Sequence, residues 1–159
     1  MYSLQDQEQT RAVGLLFHLE DDEVLTDAVH RELLVLWEET LDAFAVDRVL
    51  VVDRTRNGLA ADFRPKSGRL SWARFGSLQE AEAAHPDAVW VYLEQGGEPL
   101  DAFEHPKDDV IYAFGPDSTG FTLEPGKRYL EIRMPRPIGL FSLQAVTIVL
   151  YDRVSRRMR

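Results

Sequence analysis

Residues 109–121 read Asp-Val-Ile-Tyr-Ala-Phe-Gly-Pro-Asp-Ser-Thr-Gly-Phe (DVIYAFGPDSTGF), a short apolar run that halts at a Gly-Pro pair. A run of this length bounded by turn residues has the pattern of a strand buried on both faces. Taken alone, Gly115-Pro116-Asp117-Ser118 is an ordinary turn after a strand. Glycine at the end of a parallel strand also permits unusual backbone angles and close approach of a ligand. These residues by themselves leave both readings open.

The neighbouring segments extend the pattern. Ala88–Leu93 (AVWVYL) and Tyr129–Ile132 (YLEI) read as two further strands, and Ala12–Phe17 (AVGLLF) and Val49–Val52 (VLVV) as two more. Leu70–Phe75 fits a short strand. Val29, Leu33, Leu36, Trp37, Leu41 and Phe44 recur at helical spacing, behind a cap at Thr26 or Asp27. Ser77 with Glu80 has the capping-box spacing for a helix through Ala84, and His85-Pro86 ends it. Pro99 suits the first turn of a short helix ending before His105-Pro106. Ser142 fits the start of a final helix, either as its cap or as a site residue. Strands alternating with helices imply an α/β fold with a mostly parallel sheet covered on both faces. No repeat or low-complexity linker interrupts the sequence, so residues 1–159 are expected to form a single domain.

Composition narrows the function. There is no Cys, which removes disulfides, thiolate metal sites and a thiol nucleophile. The four histidines are scattered without metal-ligand spacing, so no metal is expected. No apolar run approaches the roughly 20 residues of a membrane span, and the amino terminus lacks signal-peptide character. A cytoplasmic protein with no membrane contact is the expectation. The net charge of −9 argues against a general nucleic-acid binder. Its distribution points the other way in places. Residues 54–74 carry Arg54, Arg56, Arg64, Lys66, Arg69 and Arg74 against Asp62 alone, and the last 33 residues add Lys127 and seven arginines. Either these are solvated faces, or they form a surface for phosphates.

Three segments resemble the SPOUT class of RNA methyltransferases. DVIYAFGPDSTGF is similar to the family's strand followed by F-G-P/S-E-x-x-G-L. YLEIRMP (129–135) is similar to a buried strand ending in I-x-I/M-P. SLQAVTIVLYDR (142–153) is similar to the terminal helix S-L-N-x-x-x-A-x-x-I-V-L-Y-E. A fourth piece, AFAVDRVLVVD (43–53), resembles the end of the family's first helix and its second strand. The resemblance implies a carboxy-terminal trefoil knot whose loops hold a bent S-adenosylmethionine. Its contacts would fall on Phe114, Gly115, Pro116, Ile132, Met134, Pro135, Leu140 and Leu143. The implied activity is 2′-O-ribose methylation of tRNA or rRNA, with RNA phosphates held by Arg54, Arg56, Arg64, Lys66 and Arg69. The resemblance also implies a homodimer through the first and last helices, for which Trp37, Leu41, Val146, Val149, Leu150, Tyr151 and Val154 offer apolar surface.

The pattern breaks on the first helix. The family's N-x-G-x-x-x-R would place its Asn at Leu33 and its Arg at Glu39. A carboxylate repels phosphate where a guanidinium would hold it. Gln144 also stands at the usual Asn of the third segment, and the loop from Pro135 to Ser142 is about two or three residues short. No other catalytic group suggests itself, so the catalytic residues stay unassigned. The cofactor segments favour an enzyme; the lost Arg and Asn favour an inactive binding or structural module of the same fold.

Overall fold

The structure, a computed structural model, describes residues 12–20, 27–56, 58, 64–66, 68–116, 119–136, 140 and 142–157. The described residues form six strands: β1 (Val13–Leu19), β2 (Arg48–Asp53), β3 (Ser71–Phe75), β4 (Val89–Pro99), β5 (Val110–Phe114) and β6 (Arg128–Glu131). They make one sheet in the order β3-β2-β1-β5-β4-β6. Every ladder is parallel. The apolar run of β5 is buried at all of its positions because β1 lies on one side and β4 on the other. A parallel ladder needs crossovers, and these put helices on both faces.

On one face α1 (Asp27–Ala43) and α3 (Ser142–Arg157) bring Leu34, Trp37, Leu41, Val146, Val149 and Leu150 onto Leu15, Phe17, Val49, Val51, Tyr112 and Phe114. Trp37 stacks on Phe17 with ring centroids 4.4 Å apart. On the other face the short α2 (Leu78–Ala84) seats Ala81 against Leu16, Leu50, Val52, Ile111 and Ala113. The expected cap is present: the Glu80 N–H donates to Ser77 Oγ at 3.2 Å, and Gly76 N–H donates to the Glu80 carboxylate at 2.9 Å. The expected mostly parallel sheet with helices on both faces is what the chain adopts.

Three local expectations need correction. No helix starts at Pro99. Strand β4 runs through it, Leu100 N–H donates to Glu131 O at 2.9 Å, and two turns then lead to the buried Phe103. Proline is tolerated because β5 pairs with β4 only as far as Leu93, so residue 99 faces a ladder on one side only. On α1, Leu36 is exposed, and Leu34 takes the inward position. Finally, Trp37, Leu41, Val146, Val149 and Leu150 are buried within the chain and have little surface to offer a partner; among the described residues of these helices, the exposed large apolar side chains are Val35, Leu36, Tyr151 and Val154. Thr26 and the side chains of Asp27, His30 and Leu33 lie outside the described residues.

A polar chain ties α3 to the sheet. Arg153 Nη1 donates to Tyr112 Oη at 3.1 Å and to Pro106 O at 2.8 Å. Tyr112 Oη lies 2.6 Å from His105 Nδ1, and His105 Nε2 lies 2.9 Å from Asp152 Oδ2. Arg156 Nε closes the series on the same carboxylate oxygen at 2.9 Å. Burial holds the His105 pKa below its usual value even though Asp152 favours the charged form. In the neutral ring that burial favours, Tyr112 O–H donates to Nδ1 and Nε2–H donates to Asp152.

One irregularity shapes the carboxyl ends of the strands. Leu93 and Glu98 of β4 both pair with Leu130 of β6, so residues 94–97 bulge from the ladder. Gly96 has φ +88, and a Cβ on Gly97 would stand 2.6 Å from the Tyr129 carbonyl carbon. Gly97→Val should therefore lose about 1–3 kcal/mol through overpacking against backbone that cannot yield. Urea unfolding should show a lower midpoint with an unchanged slope; a midpoint equal to wild type would mean that the bulge relaxes freely.

Candidate functional site

Beyond the carboxyl ends of β4, β5 and β6 lies a cleft of about 670 Å³, in the range of small-molecule and cofactor sites. Its position follows the rule for open parallel sheets, where ligands bind outside the carboxyl ends of the strands. Phe114, Gly115 and Pro116 contribute from the end of β5, Ile132 and Met134 from the segment after β6, and Leu140 from the approach to α3. Six of the eight residues named from sequence thus meet around one space. The other two do not: Pro135 is exposed, and Leu143 packs against the core below. Ser142 begins α3 and lines the cleft.

Sequence reading missed a polar wall. Glu94 and Gln95, at the β4 bulge, line the cleft, as do Arg133 and Arg136 on its lip. The Glu94 carboxylate accepts from Phe121 N–H at 2.5 Å and from Gln95 N–H at 2.9 Å, which fastens the loop after β5 to the end of β4. Gly120, at φ +65, has no room for a Cβ beside Glu94 Oε2. An acid two residues before Gly96-Gly97, just past the apolar run Ala88–Leu93, was the signal available in the sequence. Arg133 Nε pairs with Glu131 at 3.4 Å and is largely solvent-exposed.

The basic 54–74 segment sits elsewhere. Lys66 and Arg69 line a separate cavity of about 450 Å³ together with Val35, Glu38, Glu39 and Asp42 of α1. Glu39, at the position where the resembled pattern carries Arg, is therefore set among the carboxylates that offset this loop. Arg54, Arg56 and Arg64 are exposed, and Arg56, Arg64 and Arg69 each have an interaction partner. None of the five basic residues singled out from sequence lines the main cleft.

On the opposite sheet face, behind the loop that closes the cleft, His18 packs edge-on against Phe121 at 6.2 Å. Burial, and then the charge of Arg54, lower its pKa from 6.5 to about 4, although Glu20 acts in the other direction.

No family model matches the chain, and no curated protein matches it. Solved structures do. An RNA 2′-O ribose methyltransferase superposes with a TM-score of 0.68 at 18% identity, covering 99% of this chain and 61% of the other. An AdoMet-bound rRNA methyltransferase from Sinorhizobium meliloti superposes at 0.66 with 14% identity, covering 93% and 57%. A structure concerned with 2-OH methylation of C/U34 on tRNA gives 0.65 at 16% identity, covering 94% and 92%. The SpoU methyltransferase AviRb from Streptomyces viridochromogenes lies in the same group. The chain has the SpoU methyltransferase fold. It spans about three fifths of several of these SpoU-fold proteins and nearly all of the one concerned with tRNA.

The His18 environment gives a pH test. Its folded pKa is below its unfolded value, so the unfolded chain binds the extra proton, and stability present above pH 6.5 is lost progressively down to about pH 4. His18→Leu, which cannot take up that proton, should flatten urea midpoints measured across this window. An unchanged slope would mean that His18 is not the titrating group.

Proposed function

We propose that this SpoU-fold chain is a cytoplasmic, S-adenosylmethionine-dependent RNA methyltransferase acting on ribose 2′-hydroxyls of tRNA or rRNA. The observation that carries the reading is the convergence of Phe114–Pro116, Ile132, Met134 and Leu140 on one cleft at the carboxyl ends of parallel strands. The residues suit the cofactor. Adenine needs a flat apolar slot with backbone donors and acceptors, which Phe114, Leu130, Ile132 and Leu140 with their strand-end peptides can supply. When bound, the cofactor supplies an electrophilic methyl group. The chain's own part is to fold the donor into the cleft, exclude water and hold an RNA ribose over it. Arg133 and Arg136 on the lip are the basic side chains suited to gripping the adjoining phosphates, with Arg54, Arg56 and Arg64 as outlying contacts. Lys66 and Arg69 are set against the α1 carboxylates and would add less. The trefoil knot and the organisation of residues 1–159 as one domain belong to this reading.

The second reading is an inactive module that keeps the cleft as a binding site. Glu39 beside Lys66 and Arg69, in place of a guanidinium aimed at substrate, favours it. Both readings include a symmetric homodimer through α1 and α3, now resting on the exposed Val35, Leu36, Tyr151 and Val154.

Calorimetric titration with S-adenosylmethionine tests the cleft. Binding is expected in wild type and should be lost in Gly115→Trp, because even a Cβ there approaches Gly120 to 3.2 Å. Absence of heat at millimolar ligand would refute the cofactor reading, and binding without methyl transfer to any RNA would select the inactive module. For assembly, light scattering should give twice the 18.2 kDa chain mass at tens of micromolar, falling to the monomer in Tyr151→Glu; a monomeric wild type would remove the dimer.

A further inference from the structure

The cleft holds two carboxylates: Glu131 is paired with Arg133 on the lip, whereas Glu94 stands at the β4 bulge beside the loop that follows β5. Two main-chain N–H groups, of Phe121 and Gln95, hold it in place. An ionised carboxylate has about four acceptor positions, so roughly half remain after these two bonds. A pre-positioned acceptor of this kind matches a ligand's hydroxyl donors. We infer that Glu94 reads the ribose hydroxyls of the nucleoside cofactor and is a specificity-determining residue of the cleft; the inference rests on the cofactor reading above.

The alternative partner for Glu94 would be the cofactor's sulfonium. Methyl transfer discharges that cation, so a carboxylate against it would stabilise the charged ground state more than the transition state and slow the reaction. The ribose hydroxyls keep their character throughout the transfer, and a hydrogen bond to them aids binding without opposing the chemistry. The place of Glu94 also couples recognition to closure. The same carboxylate holds Phe121, and with it the loop bearing Gly115 and Gly120, so a hydroxyl bound to Glu94 would be bound to an already formed wall. The preference this builds is for a ribonucleoside over its deoxy counterpart, because a site that hydrogen-bonds a hydroxyl rejects the analogue lacking it.

The experiment is a binding cycle. Wild type, Glu94→Gln and Glu94→Asp are titrated calorimetrically with S-adenosylmethionine, S-adenosylhomocysteine and 2′,3′-dideoxy-S-adenosylhomocysteine. Gln keeps an oxygen for Phe121 N–H but loses the charge and one acceptor; Asp keeps the charge but falls short by a methylene. Amide exchange at Phe121 reports whether the loop remains fastened. The expected result is a loss of about tenfold or more in both variants for the two ribose ligands. The dideoxy ligand should bind wild type and variants alike, with Phe121 still protected in Glu94→Gln. Equal losses for all three ligands would make Glu94 a loop fastener only, and a loss confined to S-adenosylmethionine would assign it to the sulfonium; either overturns the inference. Unchanged binding of every ligand overturns it too. Wild type that binds none of the ligands defeats the cofactor reading itself, which is a separate outcome.

Discussion

Tyr112 lies in the middle of β5 with no exposed surface, and its hydroxyl is where the last helix is fastened to the sheet. Arg153, itself buried, donates to it from α3; His105 accepts from it; Asp152, the neighbour of Arg153, and Arg156, about one turn on, complete the series. A guanidinium placed this deep needs its two acceptors, Tyr112 Oη and Pro106 O, because a buried charge left without partners is strongly destabilising. One of its nitrogens, Nη2, has no hydrogen-bond partner among the described residues, so the series is not fully satisfied there. The docking of α3 depends on that arrangement together with the apolar contacts of Val146, Val149 and Leu150. The cleft depends on the docking, since Ser142 and Ala145 at the other end of the same helix form one of its walls.

The helix thus joins two ends of the molecule with opposite duties. Near its carboxyl terminus it is held rigidly by polar groups buried in the core. Near its amino terminus it presents small side chains to an open space. Arg156 reinforces the held end by donating to the carbonyls of Phe103, Leu100 and Asp101, which absorbs the backbone acceptors of the turns after β4. Arg128, from β6, adds a bond to Glu104 O and lies over the Phe103 ring. Basic residues that sequence reading grouped as a possible phosphate surface are in this way partly structural: Arg153 and Arg156 serve the fold, while Arg133 and Arg136 are left at the cleft.

Sequence patterns revealed the sheet well because parallel strands buried on both faces are continuous apolar runs, and Val110–Phe114 and Val49–Val52 need no context to be read. They also located part of the cleft lining, because Phe114–Pro116 and Ile132 fall in segments with a family pattern. What stayed hidden depended on tertiary register. The β4 bulge cannot be seen in Leu93–Pro99, since Gly96-Gly97 reads equally as a turn and Pro99 as a helix start. Glu94 became part of the site only through the pairing of Leu93 and Glu98 with the same residue of β6. Likewise the helical spacing of α1 was clear, but not which way it faced, so Leu36 and Trp37 looked equivalent although one is exposed and the other buried. The charge of the 54–74 segment was legible too; that Lys66 and Arg69 lie with Glu39 and Asp42 of α1 was not.

The sheet order has a consequence for how the chain reaches this state. Strands β1, β2 and β3 are neighbours in both sequence and space, whereas β5 must insert beside β1 and pair Val110 with Val13 across most of the chain. Among the described residues every ladder is parallel, so no hairpin nucleates that pairing, and contacts so distant in sequence are slow to form. During synthesis the first three strands and α1 emerge long before the partner that covers the free edge of β1. For that interval Leu15, Leu16 and Phe17 present an uncovered, strongly apolar strand edge, a template for pairing with another chain. Up to the end of β3 the chain carries 14 acids against nine basic residues, and a net like charge of this kind opposes the approach of a second copy.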